Sequence, residues 1–324
     1  MALVPKDKKH EKQIKAGIIG RKKGHKFEAL LANEINNLSF VSIIPGENIK
    51  HIYQGNPAME LLQYIANDRN IQINAVKASW LGGLATSGLG DAIIDENGHP
   101  ITKSKSDVLL RITAKDAAYT IGISVKTCNK KTPTNDQMFF TTAKAFCQLL
   151  IKNGINVTKE AEQGMSMFCG DIGYRPIDML DKNILKKRIS DPFRFYWEEI
   201  GSVAQDDWRE IFTIYQDEIT RLLFQKAYKD DPYSPDYLLH QTTKYKDFNN
   251  CEAAIFSMDE IVHLSRKYSG YILSKYVIRK GTYKNDNNMH LAPRFGFIQF
   301  QRGGQKQHPT QLQFNLKAGY FKHV

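Results

Sequence analysis

The sequence has no run of about 18 or more apolar residues, so nothing in it reads as a membrane span. Its N-terminus, MALVPKDKKHEKQIK, lacks the apolar stretch of a secretory signal, and a cytoplasmic protein is expected. Cysteine is scarce. Cys128, Cys147, Cys169 and Cys251 lie far apart, with no C-x-x-C pair and no companion histidine spacing, so reduced, partly buried thiols are expected and zinc is not. The histidines form no H-x-x-x-H or H-N-H-like group, which argues against a histidine–metal nuclease or a zinc hydrolase. No G-x-S-x-G nucleophile elbow is present. The glycine-rich GGLATSGLGD at 82–91 lacks the G-K-[ST] ending of a phosphate-binding loop, and it reads as a loop leading to Ala92, Ile93 and Ile94.

Acids are also in deficit. Asp and Glu number 34 against 45 Lys and Arg in 324 residues, a formal net charge of +11. That excess points to a polyanionic partner, because phosphate binding draws on Lys and Arg for affinity and for steering. Much of it is local: Lys6, Lys8, Lys9, Lys12, Lys15, Arg21, Lys22, Lys23 and Lys26 precede the first clear amphipathic segment, and acids thin out again after Asp286.

Residues 24–38, GHKFEALLANEINNL, space Phe27, Leu30, Leu31, Ile35 and Leu38 as one helical face. Glu28 flanks that stripe and Glu34 falls near its centre, where a carboxylate is costly without a partner. Two strands are expected at 106–113 (SDVLLRIT) and 119–126 (YTIGISVK), joined by a short turn as a hairpin. In the second, Ile121, Ile123 and Val125 share one face while Gly122, Ser124 and Lys126 share the other. A helix is expected over 136–153 with Gly154 at its stop, and a further strand over 165–170, MSMFCG. Helix, strands, helix, strand is an α/β plan with a mixed sheet.

The later sequence changes character. Trp208, Ile211, Phe212, Tyr215, Ile219, Leu222 and Leu223 form a helical apolar stripe, with Asp206 or Asp207 as expected N-cap. A helix is expected around 258–268, and runs 295–301 and 311–316 alternate as a strand pair. The stretch 183–192 is the weakest junction. The expected organisation is therefore a catalytic core with a basic N-terminal segment over 1–178. A mixed helical and hairpin region over 179–324 would serve DNA recognition, dimerisation or both.

Phosphodiester hydrolysis needs a divalent cation held by oxygen donors, an activated water, and positive charge where negative charge grows. Asp107 opens one strand and Lys126 closes its neighbour, so a hairpin brings them together. The backbone carbonyl of Val125 is a further oxygen donor beside them. These residues resemble the PD-(D/E)XK nuclease superfamily, and within it the type II restriction endonucleases: KSDVLLRI and YTIGISVK look like the two catalytic strands, and KGHKFEALL like the first helix. The resemblance covers roughly residues 20–170. It implies a central mixed sheet flanked by helices, Asp107 as metal ligand, Lys126 as catalytic lysine, Glu28 completing the metal shell, and Mg²⁺ as cofactor with Mn²⁺ as a substitute. It also implies double-stranded DNA as substrate and a homodimer, which two-fold symmetry suits for a palindromic target.

Two departures from the family pattern matter. Ser106 stands where proline is usual, and Ser124 where an Asp or Glu is usual, so another acid must serve. Glu28, Glu34, Asp91 and Asp136 are the candidates, with Glu28 favoured by position. A junction-resolving or repair nuclease and a catalytically inactive DNA-binding module remain alternatives. For base reading, Gln299, Gln301, Arg302, Gln311 and Gln313 on the last hairpin carry side chains that pair with guanine and adenine edges. Lys130 and neighbouring cations suit phosphate. The tripeptide Pro235–Tyr237 imitates the motif name, but no acid-x-Lys strand follows it.

Overall fold

The computed structural model describes residues 5, 7–47, 50–82, 94, 98–100, 104–115, 117–188, 191–225, 231, 233–267, 272–277, 289–302 and 310–323. The loop expected over 82–91 lies outside them from residue 83 onward, and with it the candidate acid Asp91. In chain order the elements are α1 (Lys8–Asn37), β1 (Ile52–Gly55), α2 (Pro57–Arg69), β2 (Ile73–Trp80), β3 (Val108–Ala114), β4 (Ala118–Thr127) and β5 (Asp136–Thr141). Then come α3 (Ala143–Lys152), α4 (Lys159–Cys169), α5 (Pro176–Met179), α6 (Lys182–Lys187), α7 (Ser202–Ile214), α8 (Gln216–Phe224), β6 (Pro235–Gln241) and β7 (Cys251–Ser257). The chain closes with α9 (Met258–Arg266), β8 (Ile272–Val277), β9 (Met289–Phe295), β10 (Ile298–Arg302) and β11 (Leu312–Leu316). Among the described residues no helix is long and apolar enough to cross a membrane.

The chain forms two compact units, each drawn from separated stretches. The first comprises Met1–Asp136, Phe224–Ile261 and Ala318–Val324, and the second Gln137–Leu223 and Val262–Lys317. The boundary expected at 178–179 falls inside the second.

In the first unit a six-stranded mixed sheet runs β1-β7-β6-β4-β3-β2, with β4 and β6 parallel and the other neighbours antiparallel. The expected β3–β4 hairpin is there, with Asp107 immediately before β3. One face of the sheet carries Val108, Leu110, Ile112, Ile121, Ile123, Val125, Tyr237 and Leu239, buried with Phe27, Leu31 and Ile35 of α1 and Leu61, Leu62 and Ile65 of α2. Each of those side chains contributes on the order of 1.5–3 kcal/mol by leaving water. α1 is longer than the expected 24–38: it begins at an Asp7 cap whose side chain accepts the His10 N–H. From Lys8 onward the basic run thus lies on the helix, as suits Lys and Arg, which are good helix formers.

The strand expected over 165–170 does not form. That segment belongs to α4, which starts at a Thr158 cap and stops at Gly170 in the left-handed conformation. A short apolar run fits either element, and Ala161, Met165 and Phe168 are buried at helical spacing. The strand parallel to β4 is β6, in the stretch that begins with the tripeptide Pro235–Tyr237. The helix expected over 136–153 is divided into β5 and α3, because Thr142 caps α3 through the Ala145 N–H.

The second unit has a five-stranded sheet, β5-β11-β10-β9-β8, over an aromatic core in which Phe146, Trp208, Phe212, Phe300 and Phe314 contact one another. α4 and α7 cross closely because Gly164 has no side chain: a Cβ there would lie 2.6 Å from the Ala204 Cβ. The cap of α7 is Gly201, not Asp206 or Asp207. Asp207 instead accepts from the Thr158 hydroxyl and Asp206 pairs with Arg209.

All four cysteines are buried, and none is joined in a disulfide. Burial pushes the Cys147 and Cys251 thiols up to about 12, so they stay protonated and poorly reactive at neutral pH.

Between β1 and α9 sits an ionic contact that sets a pH dependence. The His51 ring stacks on Phe256, and its Nδ1 lies 3.1 Å from the Ile255 carbonyl while Nε2 lies 3.1 Å from the Glu260 carboxylate. Both nitrogens face acceptors, which only the imidazolium satisfies as a double donor. Burial pulls the His51 pKa down, but Glu260 and the Ile255 carbonyl more than offset it, leaving it raised. The stabilisation is therefore fully present below the unfolded value of about 6.5 and disappears as pH rises through the higher folded value. His51→Gln is expected to lower the thermal midpoint more at pH 6 than at pH 9. Parallel losses at both pH values would remove this role.

Candidate active site

β4 projects beyond the start of β3, and the sheet opens there. Val108 pairs with Ile123, and the Asp107 N–H still donates to the Ile123 carbonyl at 2.8 Å. Past that point β3 supplies no partner on this edge of β4. A strand residue directs its own N–H and C=O to the same side, alternating along the chain, so both main-chain groups of Val125 point into the opening beside Asp107. The Asp107 carboxylate takes the Val125 N–H at 2.7 Å and lies 3.4 Å from the Ser124 hydroxyl. The Val125 carbonyl is approached by the Lys126 ammonium at 3.4 Å. Asp107 thus contacts Ser124 and Val125 of β4, and the Lys126 ammonium lies against the carbonyl of the same Val125.

Ser124 is fully buried. A neutral hydroxyl is tolerated there because it donates to the neighbouring carboxylate; a second carboxylate at this contact would meet Asp107 as a like charge.

The acid candidates separate. Glu28, on α1, is buried and accepts the Trp80 indole N–H at 3.2 Å. Trp80 ends β2, and the next residue, Leu81, donates its N–H to the Asp107 carbonyl at 3.1 Å, so Glu28 is held at the same end of the sheet as Asp107. Glu34 is half-buried on α1. Asp136 Oδ2 lies 2.6 Å from Nε2 of the buried His240, a close contact without the geometry of a well-directed hydrogen bond. His240 is the cross-strand neighbour of Lys126 in the parallel β4–β6 ladder, and its ring stacks on Tyr320. Asp136 is therefore tied to the Lys126 edge of β4 through His240.

Among the described residues no three His, Cys, Asp or Glu side chains form a group that could hold a metal ion. Mg²⁺ is bound differently, through one or two carboxylates with several waters and substrate phosphate oxygens completing an octahedron. Asp107 with the Val125 carbonyl, and Glu28 held at the same sheet end, is a donor set of that sparse kind.

Sequence reasoning did not find Trp80 or His240. Trp80 ends INAVKASW, a segment with β-branched and alternating character that marks a strand. His240 sits inside the apolar run of β6, and nothing local distinguishes it from a core histidine.

The proposed base-reading residues lie in the second unit. On β10 and β11, Gln301 opposes Gln313 and Gln299 opposes Asn315, while Phe300 and Phe314 face the core. The Asn315 amide donates to Gln301 at 3.3 Å, so an amide-lined, half-exposed face is built over an aromatic one. Gln311 precedes β11 and Arg302 ends β10. Lys130 is exposed in the first unit, and its carbonyl accepts the Lys244 N–H at 2.7 Å. No protein-family model and no curated protein matches this chain.

Proposed function

We propose that this chain is a Mg²⁺-dependent endonuclease of the PD-(D/E)XK kind, cutting double-stranded DNA at a specific sequence as a homodimer. The observation that carries the reading is the opening beside β4, where the Asp107 carboxylate takes the Val125 N–H and the Lys126 ammonium approaches the Val125 carbonyl. The order of elements supports it: a helix, three antiparallel strands β2, β3 and β4, and then a strand, β6, parallel to the last of them. The net charge of +11 supports a polyanionic substrate.

In this reading Asp107, the Val125 carbonyl and Glu28 would hold the cation, which when bound would supply Lewis acidity for the attacking water and the scissile phosphate. Lys126 orients the attacking water and offsets the charge that grows on the phosphate oxygens. The Ser124 hydroxyl fixes the Asp107 rotamer. The amide face of β10 and β11 reads base edges, and exposed lysines position the backbone.

Digestion of several plasmids with and without chelator tests this. Discrete fragments that require Mg²⁺, with Mn²⁺ able to replace it, are the expected outcome. Cutting confined to branched DNA would transfer the chain to a junction-resolving role. The second reading, an inactive DNA-binding module, is favoured by Ser124 standing where a carboxylate is usual. It predicts salt-sensitive DNA binding and no cleavage at any concentration of either metal.

A further inference from the structure

One residue beyond Lys126, the first unit contains a pocket of about 260 Å³ whose wall includes Lys23, Lys26, Lys244, Thr127, Asn129 and Tyr245. Among the described residues no acidic side chain lines it. Lys23 and Lys26 are three residues apart on α1, so both project to one side of that helix, where like charges repel. Lys244 reaches the same space from the segment after β6. None of the three makes an ion pair with a described residue. Ammonium groups gathered around a concavity raise its positive potential, and an anion inside relieves it.

The floor of the pocket is built, not incidental. The buried Gln241 amide donates to the Cys128 carbonyl at 2.8 Å and its oxygen accepts the Cys128 N–H at 3.2 Å, which fixes the turn carrying Asn129. The Lys244 N–H to Lys130 carbonyl bond ties the opposite wall to the same turn. Tyr245 stands edge-on to Phe27 at 5.7 Å between centroids, so its ring is held as a wall.

We propose that this pocket binds the terminal phosphomonoester of a nucleic-acid strand. A phosphomonoester is close to a dianion at neutral pH and offers three acceptor oxygens; three lysines around one small space match that charge better than the single charge of a phosphodiester. Thr127 and Asn129 add hydrogen-bonding side chains, and Tyr245 offers an aromatic surface for the attached sugar or base. The anion requirement stands on the lysines alone. The nucleic-acid part rests on the nuclease reading, since the pocket adjoins the strand end that carries Lys126.

The test is equilibrium binding to the full chain in chelator, where no cutting occurs. The probes are a 5′-phosphorylated, a 3′-phosphorylated and an unphosphorylated trinucleotide, and inorganic phosphate. At least one phosphorylated trinucleotide is expected to bind about tenfold tighter than the unphosphorylated one, the size of a charge-assisted contact. Lys23→Gln and Lys244→Gln should each erode that preference, while Lys8→Gln, outside the pocket, should leave it; circular dichroism checks that all three variants fold. Equal binding of the three trinucleotides, or a preference that survives in the Lys23→Gln, Lys244→Gln double variant, overturns the assignment. Inorganic phosphate binding as tightly as the trinucleotide also overturns it, in favour of a free-phosphate site. Phosphate-dependent binding by a chain that never cuts DNA keeps the pocket and sinks the nuclease reading; sequence-specific cutting with no phosphate preference does the reverse.

Discussion

Lys126→Ala is expected to cut DNA slower by on the order of 10²- to 10³-fold, the usual cost of removing one group aimed at charge that develops in the transition state. DNA binding and thermal stability should hardly change. The side chain is only half-buried, so truncation leaves no core cavity, and one ammonium is a small part of the electrostatic attraction. Asp107→Asn is the informative companion. An asparagine oxygen still accepts the Val125 N–H that now takes the Asp107 carboxylate at 2.7 Å, so the strand end survives while the charge that would hold a cation is lost. Cleavage should fall for both variants, and raising Mg²⁺ should restore part of the rate for Asp107→Asn but none for Lys126→Ala. Normal cutting by Lys126→Ala would mean that the chemistry lies elsewhere in the molecule.

Gly122→Ala is expected to be the most damaging single methyl in the first unit. A Cβ at Gly122 would collide with the Ser106 hydroxyl oxygen and sit 2.6 Å from the Ser234 carbonyl oxygen and 3.0 Å from that of Tyr233. Two of the three are main-chain atoms. They cannot rotate away, and Ser106 is itself held by a 2.6 Å hydrogen bond to the Tyr233 carbonyl. Overpacking of this kind costs roughly 3 kcal/mol. Because Ser106 precedes Asp107, relief by shifting that segment moves the carboxylate as well, so cleavage should drop along with the thermal midpoint. Gly17→Ala is the contrast: nothing lies within 4 Å of a Cβ there, on the exposed part of α1, and a gain of about 0.5–1 kcal/mol is expected from helix propensity. A Gly122→Ala protein as stable as the parent would show that β4 and the 233–234 segment separate freely.

The parts of this fold written plainly in the sequence are those whose determinants are local. The β3–β4 hairpin follows from alternation and a short turn, and the core-facing end of α1 from its apolar spacing. The pairing of β10 with β11 follows from Gln and Phe alternating on both strands. α4 was ambiguous because MSMFCG is short and apolar, and the Thr158 cap that decides it lies outside that run. α2 carries its own signal, an Asn56 cap before Pro57 with Leu61, Leu62 and Ile65 at helical spacing, which composition-led reading passes over. At the candidate site, Asp107, Val125 and Lys126 were legible from one hairpin. The surroundings were not, because Trp80, His240 and the lysine pocket depend on segments that meet only in three dimensions.

The parallel partner of β4 arrives late in the chain: Cys128, just past β4, hydrogen-bonds to Gln241 at the end of β6, 113 positions on. During synthesis β4 therefore stays an edge strand, with one side unpaired, until β6 has been made. Closing so long a loop is slow compared with forming the β3–β4 hairpin. A ribosome-bound chain stalled before residue 235 would carry Asp107 and Lys126 on a hairpin before His240 and Lys244 exist, so the candidate site and the lysine pocket would be assembled only once β6 and the segment after it have been made.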